Sequence, residues 1–164
     1  MNPSRKTPLN IIRVCALILI LLFFFVPLVR CTTYAGLNAS GWEIATSTGD
    51  MFDEDMFSVE EYPHFLTFAL LLIPIIMLGL SCLKKPYAPL LGMAIAGAIA
   101  KIIFMIWIRT GEAHQYGMIE LTGFAWAILV MYAGLAMFAA YCKKQEEYPN
   151  FPEYPHDSPP SDTW

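Results

Sequence analysis

The chain has 164 residues, of which 57% are hydrophobic and 15% are charged, and its formal net charge is −4. Average soluble domains contain about 45–50% apolar and about 25% charged residues. A single soluble core of this size could not bury so much apolar surface, and the same composition excludes intrinsic disorder for most of the chain. The length suits one domain, so we predict a small integral membrane protein.

Four stretches are long and apolar enough to cross a membrane as helices. About 20 apolar residues are needed to span about 30 Å of hydrocarbon, where only internal hydrogen bonds satisfy the backbone. The stretches lie at 11–29, 64–83, 90–108 and 119–142. We therefore predict an all-α membrane protein, with a bundle of four transmembrane helices forming one domain over residues 1–144.

The first stretch also has an interpretation as a cleaved signal peptide, because Arg5 and Lys6 precede an apolar run. Its apolar core is longer than the usual length of about 7–15 residues in signal peptides. The length favours an uncut membrane anchor.

Lysine and arginine are concentrated on one side of the predicted spans. Membrane proteins carry an excess of these residues in their cytoplasmic segments. With the N-terminus inside, seven cations are cytoplasmic and two are outside, whereas the opposite orientation reverses this count. Both termini are therefore predicted to be cytoplasmic. The seven are Arg5, Lys6, Arg13, Lys84, Lys85, Lys143 and Lys144, and the two are Arg30 and Arg109.

The predicted outer loop, residues 31–63, is acidic and contains no lysine or arginine. Its acidic residues do not have the spacing of an EF-hand loop, which favours a solvated loop over a calcium site. Trp42, Phe52 and Phe57 are apolar residues within this loop. They predict a loop that packs on the bundle, lies at the lipid headgroups or contacts a protein partner, and the sequence leaves these alternatives open.

Residues 145–164 form a polar tail that contains five of the twelve prolines, so we predict a disordered cytoplasmic segment. Three consecutive triplets end in proline, and in polyproline II the prolines share one edge and the aromatic residues share another. A partner with an aromatic groove could bind such a ribbon, and the alternative is a stiff, soluble tail whose aromatics touch headgroups. The prolines are Pro149, Pro152 and Pro155, and the aromatics are Tyr148, Phe151 and Tyr154.

Lys101 is a charged residue in the middle of a predicted span. A cation there costs about 2.5–3.5 kcal/mol on insertion scales, so it is expected to face protein, a cavity or a partner. Ala94 and Gly97 lie on the same helical face and would let another helix approach. We predict an ion pair between Lys101 and Glu120, with Glu112 as the second candidate counter-ion. Two roles are open for Lys101: a structural one, or a functional one in which it binds an anion or takes part in proton transfer.

The sequence carries no recognisable catalytic constellation, metal site, cofactor motif or nucleic-acid-binding pattern. Cys31 is the single cysteine on the outer side, so it could form a disulfide only with another chain. We therefore predict neither an enzyme nor a cofactor-binding protein.

The third and fourth spans are rich in glycine and alanine, which predicts a closely packed antiparallel hairpin. In the second span, Pro74 lacks an N–H group and should free a backbone carbonyl.

Two resemblances follow from the loop pattern. A long first outer loop, a short second one and cytoplasmic termini resemble the topology of claudin-type tetraspan proteins. Gly41-Trp42 is present, but the paired loop cysteines of that family are missing, so its function is not carried over. Ser40-Gly-Trp-Glu-Ile-Ala-Thr46 and the spans around it are similar to small four-helix bacterial membrane proteins of unassigned function, with S-G-x-x-x-A-T in the first outer loop. This resemblance implies a bacterial inner membrane and supplies no mechanism.

We predict a structural or accessory membrane protein that contacts protein partners, or a second copy of itself, within the lipid bilayer. The outer loop and the tail would carry these contacts. The alternative is an oligomeric transporter or channel subunit that uses Lys101. Neither hypothesis names a small-molecule substrate.

Overall fold

A computed structural model describes residues 6–32, 37–48, 64–111 and 119–147 of the chain. These residues are mostly helical and include a small antiparallel sheet. In chain order the elements are α1 (Lys6–Phe25), β1 (Pro27–Cys31), β2 (Asn38–Ser40), α2 (Gly41–Thr46), α3 (His64–Leu80), α4 (Tyr87–Thr110), β3 (Ile119–Leu121) and α5 (Gly123–Glu147).

Three helices, α1, α4 and α5, are long and apolar enough to cross a membrane, which confirms three of the four predicted spans in this respect. Helix α3 covers most of the predicted span 64–83 and is shorter, with 17 residues. At 1.5 Å per residue it is about 25 Å long, at the lower limit for a spanning helix.

The outer surface of the helices is apolar and the interior contains polar groups. Ile99 and Ile103 of α4 and Val130 of α5 are among many large apolar side chains exposed on the helices. Lys101 and Tyr132 are instead fully buried. The rest of the interior is mainly apolar, so the described helices differ from those of a soluble protein in their outer surface, where a soluble protein has polar and charged side chains. This apolar outer surface, together with three helices long and apolar enough to span a membrane, indicates a membrane protein.

Helices α4 and α5 form the predicted antiparallel hairpin, but only some of their small residues lie between them. Ala94 and Gly97 are buried on α4, and Ala125 and Ala139 are buried on α5. By contrast, nothing lies within 4 Å of the position that a Cβ would occupy at Gly92. The small residues therefore divide between the helix contact and the outer surface.

The three strands form a sheet in the order β2-β1-β3, and all pairs are antiparallel. The Thr122 hydroxyl, just after β3, donates a hydrogen bond of 2.6 Å to the Pro27 carbonyl oxygen. The helical majority was predicted, whereas these three short strands were not. The physical reason is that hydropathy counts apolar residues whatever their backbone conformation, whereas Pro27 cannot donate the N–H that would continue α1.

The sheet also changes the predicted boundaries of the first and last spans. The predicted span 11–29 includes most of β1, and its helix ends at Phe25. The predicted span 119–142 begins with β3, and its helix begins at Gly123. Helix α5 continues to Glu147, so the first three residues of the predicted tail are helical.

The bundle has two chemically different ends. One is the sheet end, formed by β1, β2, β3 and α2. The opposite end is the lysine end, where the Arg13 side chain joins α1 to the turn after α3. Arg13 Nε donates to Ser81 Oγ at 2.9 Å, and Arg13 Nη2 donates to the Ser81 carbonyl oxygen at 3.2 Å. The cations of the lysine end are Arg13, Lys84, Lys85, Lys143 and Lys144.

Candidate functional site

The S-G-x-x-x-A-T stretch forms the end of β2 and the whole of α2. Ser40 is the N-cap of α2: its Oγ accepts from the Glu43 N–H at 3.3 Å, and its own N–H donates to Glu43 Oε2 at 2.6 Å. This reciprocal pair is a capping box, which satisfies two backbone donors that a helix start leaves open. Ser47 ends the helix with a left-handed backbone, φ 53°. The stretch is therefore built to start and stop a short helix.

Helix α2 packs on the end of α1 through the next two residues of the stretch. A Cβ at Gly41 would lie 2.6 Å from Phe23 Cδ2, so only glycine allows this approach without a shift. The Trp42 ring stacks on the Phe24 ring at a centroid distance of 5.0 Å and an interplanar angle of 27°. Trp42 also remains 39% exposed. Residues 41–46 of the predicted outer loop therefore pack on the bundle, and the Trp42 ring stays partly exposed there.

The other two candidate outer-loop contacts, Phe52 and Phe57, lie outside the described residues. The same holds for the tail residues Tyr148, Pro149, Phe151, Pro152, Tyr154 and Pro155, and for the reserve counter-ion Glu112.

Lys101 is enclosed in the interior, and the predicted ion pair with Glu120 is not formed. The side chain is 0% exposed, and its Nζ has no hydrogen-bond partner among the described residues. Nζ lies 4.5 Å from the centroid of the Phe104 ring, one helical turn toward the sheet end. A cation over an aromatic face gains electrostatic attraction but no hydrogen bond.

Glu120 is instead paired with Arg30 across the sheet. The two residues lie directly opposite each other in β3 and β1, and Arg30 Nη2 donates to Glu120 Oε2 at 2.8 Å. Both side chains are about half exposed, so the pair contributes less than about 1 kcal/mol. The predicted Lys101–Glu120 pair is wrong because Glu120 is fixed in a strand, where its register gives it a nearer cation.

Sequence reasoning missed Arg30 as the partner of Glu120, although a signal was present. Pro27 interrupts the apolar run shortly before Arg30, and a β-branched residue, Val29, stands between them. Proline and β-branched residues favour the end of a helix and an extended strand.

The interior contains a three-helix contact centred on Tyr132. Pro74 has no N–H, so the carbonyl of Leu70 has no helical donor four residues later. The Tyr132 hydroxyl of α5 donates to this carbonyl oxygen at 3.2 Å. A Cβ at Gly97 of α4 would lie 2.5 Å from Tyr132 Cδ1, so the ring fills the space that the glycine leaves. Pro74 frees a carbonyl, as predicted, and the structure adds the side chain that satisfies it.

Cys31 lies in β1 with its side chain buried, and its thiol is free. A disulfide to another chain, which the sequence left possible, would require an accessible side chain, whereas that of Cys31 is buried. No three His, Cys, Asp or Glu side chains are grouped to hold a metal within residues 6–32, 37–48, 64–111 and 119–147.

Comparison of the chain with protein-family models, with curated proteins and with solved structures finds no match. The resemblance to small bacterial membrane proteins therefore stays a prediction. The described residues contain three features that bear on function: a buried amine, hydrogen-bonded contacts between helices, and a sheet end with exposed aromatic and charged groups.

Proposed function

We propose that the chain is a four-span integral membrane protein, with its lysine end and both termini in the cytoplasm, that acts as a structural or accessory subunit. The main support for this proposal is that contacts between the helices occur at both ends of the bundle and in its middle. Arg13 is bonded to Ser81 at the lysine end, and Tyr132 joins three helices in the middle. At the sheet end, β1 and β3 tie α1 to α5. Because these contacts hold the helices in one arrangement, the outer surface of the bundle keeps a single shape to which other proteins can bind.

The exposed aromatic residues support insertion with the sheet end at a membrane boundary. Tryptophan and tyrosine are enriched at membrane–water interfaces because their rings are amphipathic, and positive residues are enriched in cytoplasmic segments. The sheet end carries exposed Trp42 and Trp126, whereas the opposite end carries the lysines. The lysines favour a cytoplasmic position for their end, and the exposed tryptophans suit the sheet end to the opposite membrane boundary. Exposed phenylalanines at the sheet end are Phe25, Phe65 and Phe124.

Cysteine labelling in intact cells tests this orientation. Cys82 is exposed at the lysine end, so a membrane-impermeant maleimide should label it only after the cells are permeabilised. Thr48→Cys places a thiol at an exposed position of the sheet end and should be labelled in intact cells. Labelling of Cys82 in intact cells, with no labelling at position 48, would reverse the proposed orientation.

We propose that partners contact the tail and the outer loop. For the tail, the support is its sequence, which repeats an aromatic residue followed by proline three times. The test compares a triple variant, Tyr148→Ser, Phe151→Ser and Tyr154→Ser, with a control variant that carries Asp157→Ser and Asp162→Ser. Each is purified from its native host in mild detergent, and stoichiometric partners are identified. We expect the triple variant to lose partners that the control retains. Equal recovery from both would remove the tail from the proposal.

A second candidate function, an oligomeric transporter or channel subunit, is favoured by one observation. The Nζ atom of Lys101 is buried without a hydrogen-bond acceptor among the described residues, which suits an anion or a proton-linked group. Lys101→Met separates the two candidates, with Ile102→Met at a lipid-facing position as the matched control. Loss of a transport phenotype in the first variant alone would favour transport, whereas an unchanged phenotype with normal assembly would favour the accessory role.

A further inference from the structure

The two arginines of the sheet end differ in their charge partners. Arg30 is neutralised by Glu120 at 2.8 Å. Arg109, in the last turn of α4, is exposed, and no acidic side chain among the described residues pairs with it. The guanidinium carbon of Arg109 lies 5.4 Å from the centroid of the Trp126 ring. This end of the described bundle therefore carries one cation held on an aromatic ring.

The Arg109–Trp126 pair lies where the apolar surface of the hairpin ends. Ile103 and Ile106 are exposed on α4 just before Arg109, and Trp126 is 45% exposed near the start of α5. A tryptophan ring is suited to the boundary between hydrocarbon and headgroups, and an arginine beside it reaches the level of the lipid phosphates. The pair thus has an apolar part toward the acyl chains and a cationic part toward the headgroups.

We propose that Arg109 and Trp126 form a binding site for the phosphate of an anionic phospholipid in the outer leaflet, an inference that rests on the proposed membrane orientation. A guanidinium group presents N–H donors in a fork that matches two phosphate oxygens. Its contact with the Trp126 ring face restrains the side chain while using none of these donors. Arg30 is the less suitable arginine, because Glu120 already accepts from it.

Native mass spectrometry of the full chain, released from nanodiscs of mixed phosphatidylglycerol and phosphatidylcholine, tests the site. We expect wild-type protein to retain phosphatidylglycerol preferentially and Arg109→Gln to reduce this retention about fivefold, since one cation near an anionic surface contributes about 1 kcal/mol. The double variant Arg30→Gln/Glu120→Gln keeps the net charge and should retain the lipid as wild type does. Trp126→Leu should reduce retention, and Trp126→Phe should preserve it.

Three results would overturn the inference: equal retention in wild type and Arg109→Gln, an equal loss in the Arg30→Gln/Glu120→Gln control, or displacement of the lipid by excess inorganic phosphate. The last would assign a site for free anions, since a lipid is also held by its acyl chains. If Arg109→Gln does not fold, the two Trp126 variants provide the test. Reduced lipid retention in Trp126→Leu but not in Trp126→Phe would support the site, and equal retention in both would contradict it.

Alkaline extraction of membranes, run on every variant, separates this inference from the proposed function. A wild-type chain that is extracted as a soluble protein would contradict membrane insertion itself. A chain that stays in the membrane but shows no dependence on Arg109 would contradict only the lipid site.

Discussion

The hydrogen bond from Tyr132 to the Leu70 carbonyl gives a direct test of how the bundle is stabilised. Tyr132→Phe removes the hydroxyl and leaves a buried carbonyl that Pro74 has already deprived of its helical donor. The ring itself remains, so the packing against Gly97 is kept. The change therefore isolates one polar contact in the interior.

The expected loss is about 1 kcal/mol. Side-chain hydrogen bonds inside membrane proteins average about 0.6 kcal/mol and reach about 1.7 kcal/mol, and a buried carbonyl without a donor costs about 1–3 kcal/mol. The bond measures 3.2 Å, longer than the usual 2.7–2.8 Å of O–H···O bonds, which places the effect in the lower part of this range.

Pro74→Ala completes a double-mutant cycle. An alanine at position 74 restores an N–H that can donate to the Leu70 carbonyl, so the loss caused by Tyr132→Phe should fall by about half or more in that background. The free energy of unfolding would be measured by reversible denaturation in mixed micelles for the four proteins of the cycle. Strictly additive effects of the two substitutions would refute the proposed coupling.

Tyr141→Phe is the matched control for the loss of a hydroxyl. Its hydroxyl lies on the exposed surface of the same helix and accepts from Gln145 Nε2 at 2.6 Å. Since water or a headgroup can replace that contact, we expect a change close to zero.

Three further substitutions test other features of the bundle by the same unfolding measurement. Gly97→Ala should destabilise it by about 1–3 kcal/mol, because the added methyl overlaps the Tyr132 ring. Lys101→Met should leave stability unchanged or raise it by up to about 3 kcal/mol, because it removes a buried amine that has no hydrogen bond to the described residues. Ser40→Ala should cost about 1 kcal/mol, because it removes the capping oxygen of α2.

Two of these three changes have a matched control, for Gly97→Ala and for Ser40→Ala. Gly92→Ala adds the same methyl to α4 in open space and should be neutral or stabilising by up to about 1 kcal/mol. Ser40→Thr keeps a hydroxyl and should retain most of the cap. A loss of stability in Lys101→Met would show that the amine has a partner that stabilises it. Equal effects of alanine at positions 97 and 92 would contradict the close contact with Tyr132.

The helical part of the fold was predictable because crossing a membrane imposes a length and a composition on contiguous residues. Helices α1, α4 and α5 satisfy both conditions, and their apolar runs are visible without any tertiary information. The ends of the runs were less predictable. The apolar residues of β1 and β3 continue the hydropathy of the neighbouring helices, while their hydrogen bonds are made to each other.

The burial of the candidate site residue Lys101 could be predicted from the sequence, whereas the contacts between the site residues could not. Lys101 was expected to face protein, and it is buried. Its expected counter-ion, Glu120, is assigned to Arg30 by the register of β1 and β3, a relation between residues 90 positions apart. The S-G-x-x-x-A-T stretch could be noted as a pattern, whereas the roles of Ser40 and Gly41 depend on Glu43 and on the Phe23 ring.

Three properties follow from the amino-acid sequence without the tertiary structure: the positions of the apolar helices, the concentration of lysine at one end of the bundle, and a carbonyl that Pro74 leaves without its helical donor. Those properties depend on residues close together in the chain. The contacts of Tyr132 with this carbonyl, of Glu120 with Arg30 and of Arg109 with Trp126 depend instead on the tertiary structure. The partner of a hydrogen-bond donor or of a charged side chain depends on which distant elements pack beside it. Hydropathy and local periodicity contain no information about that packing.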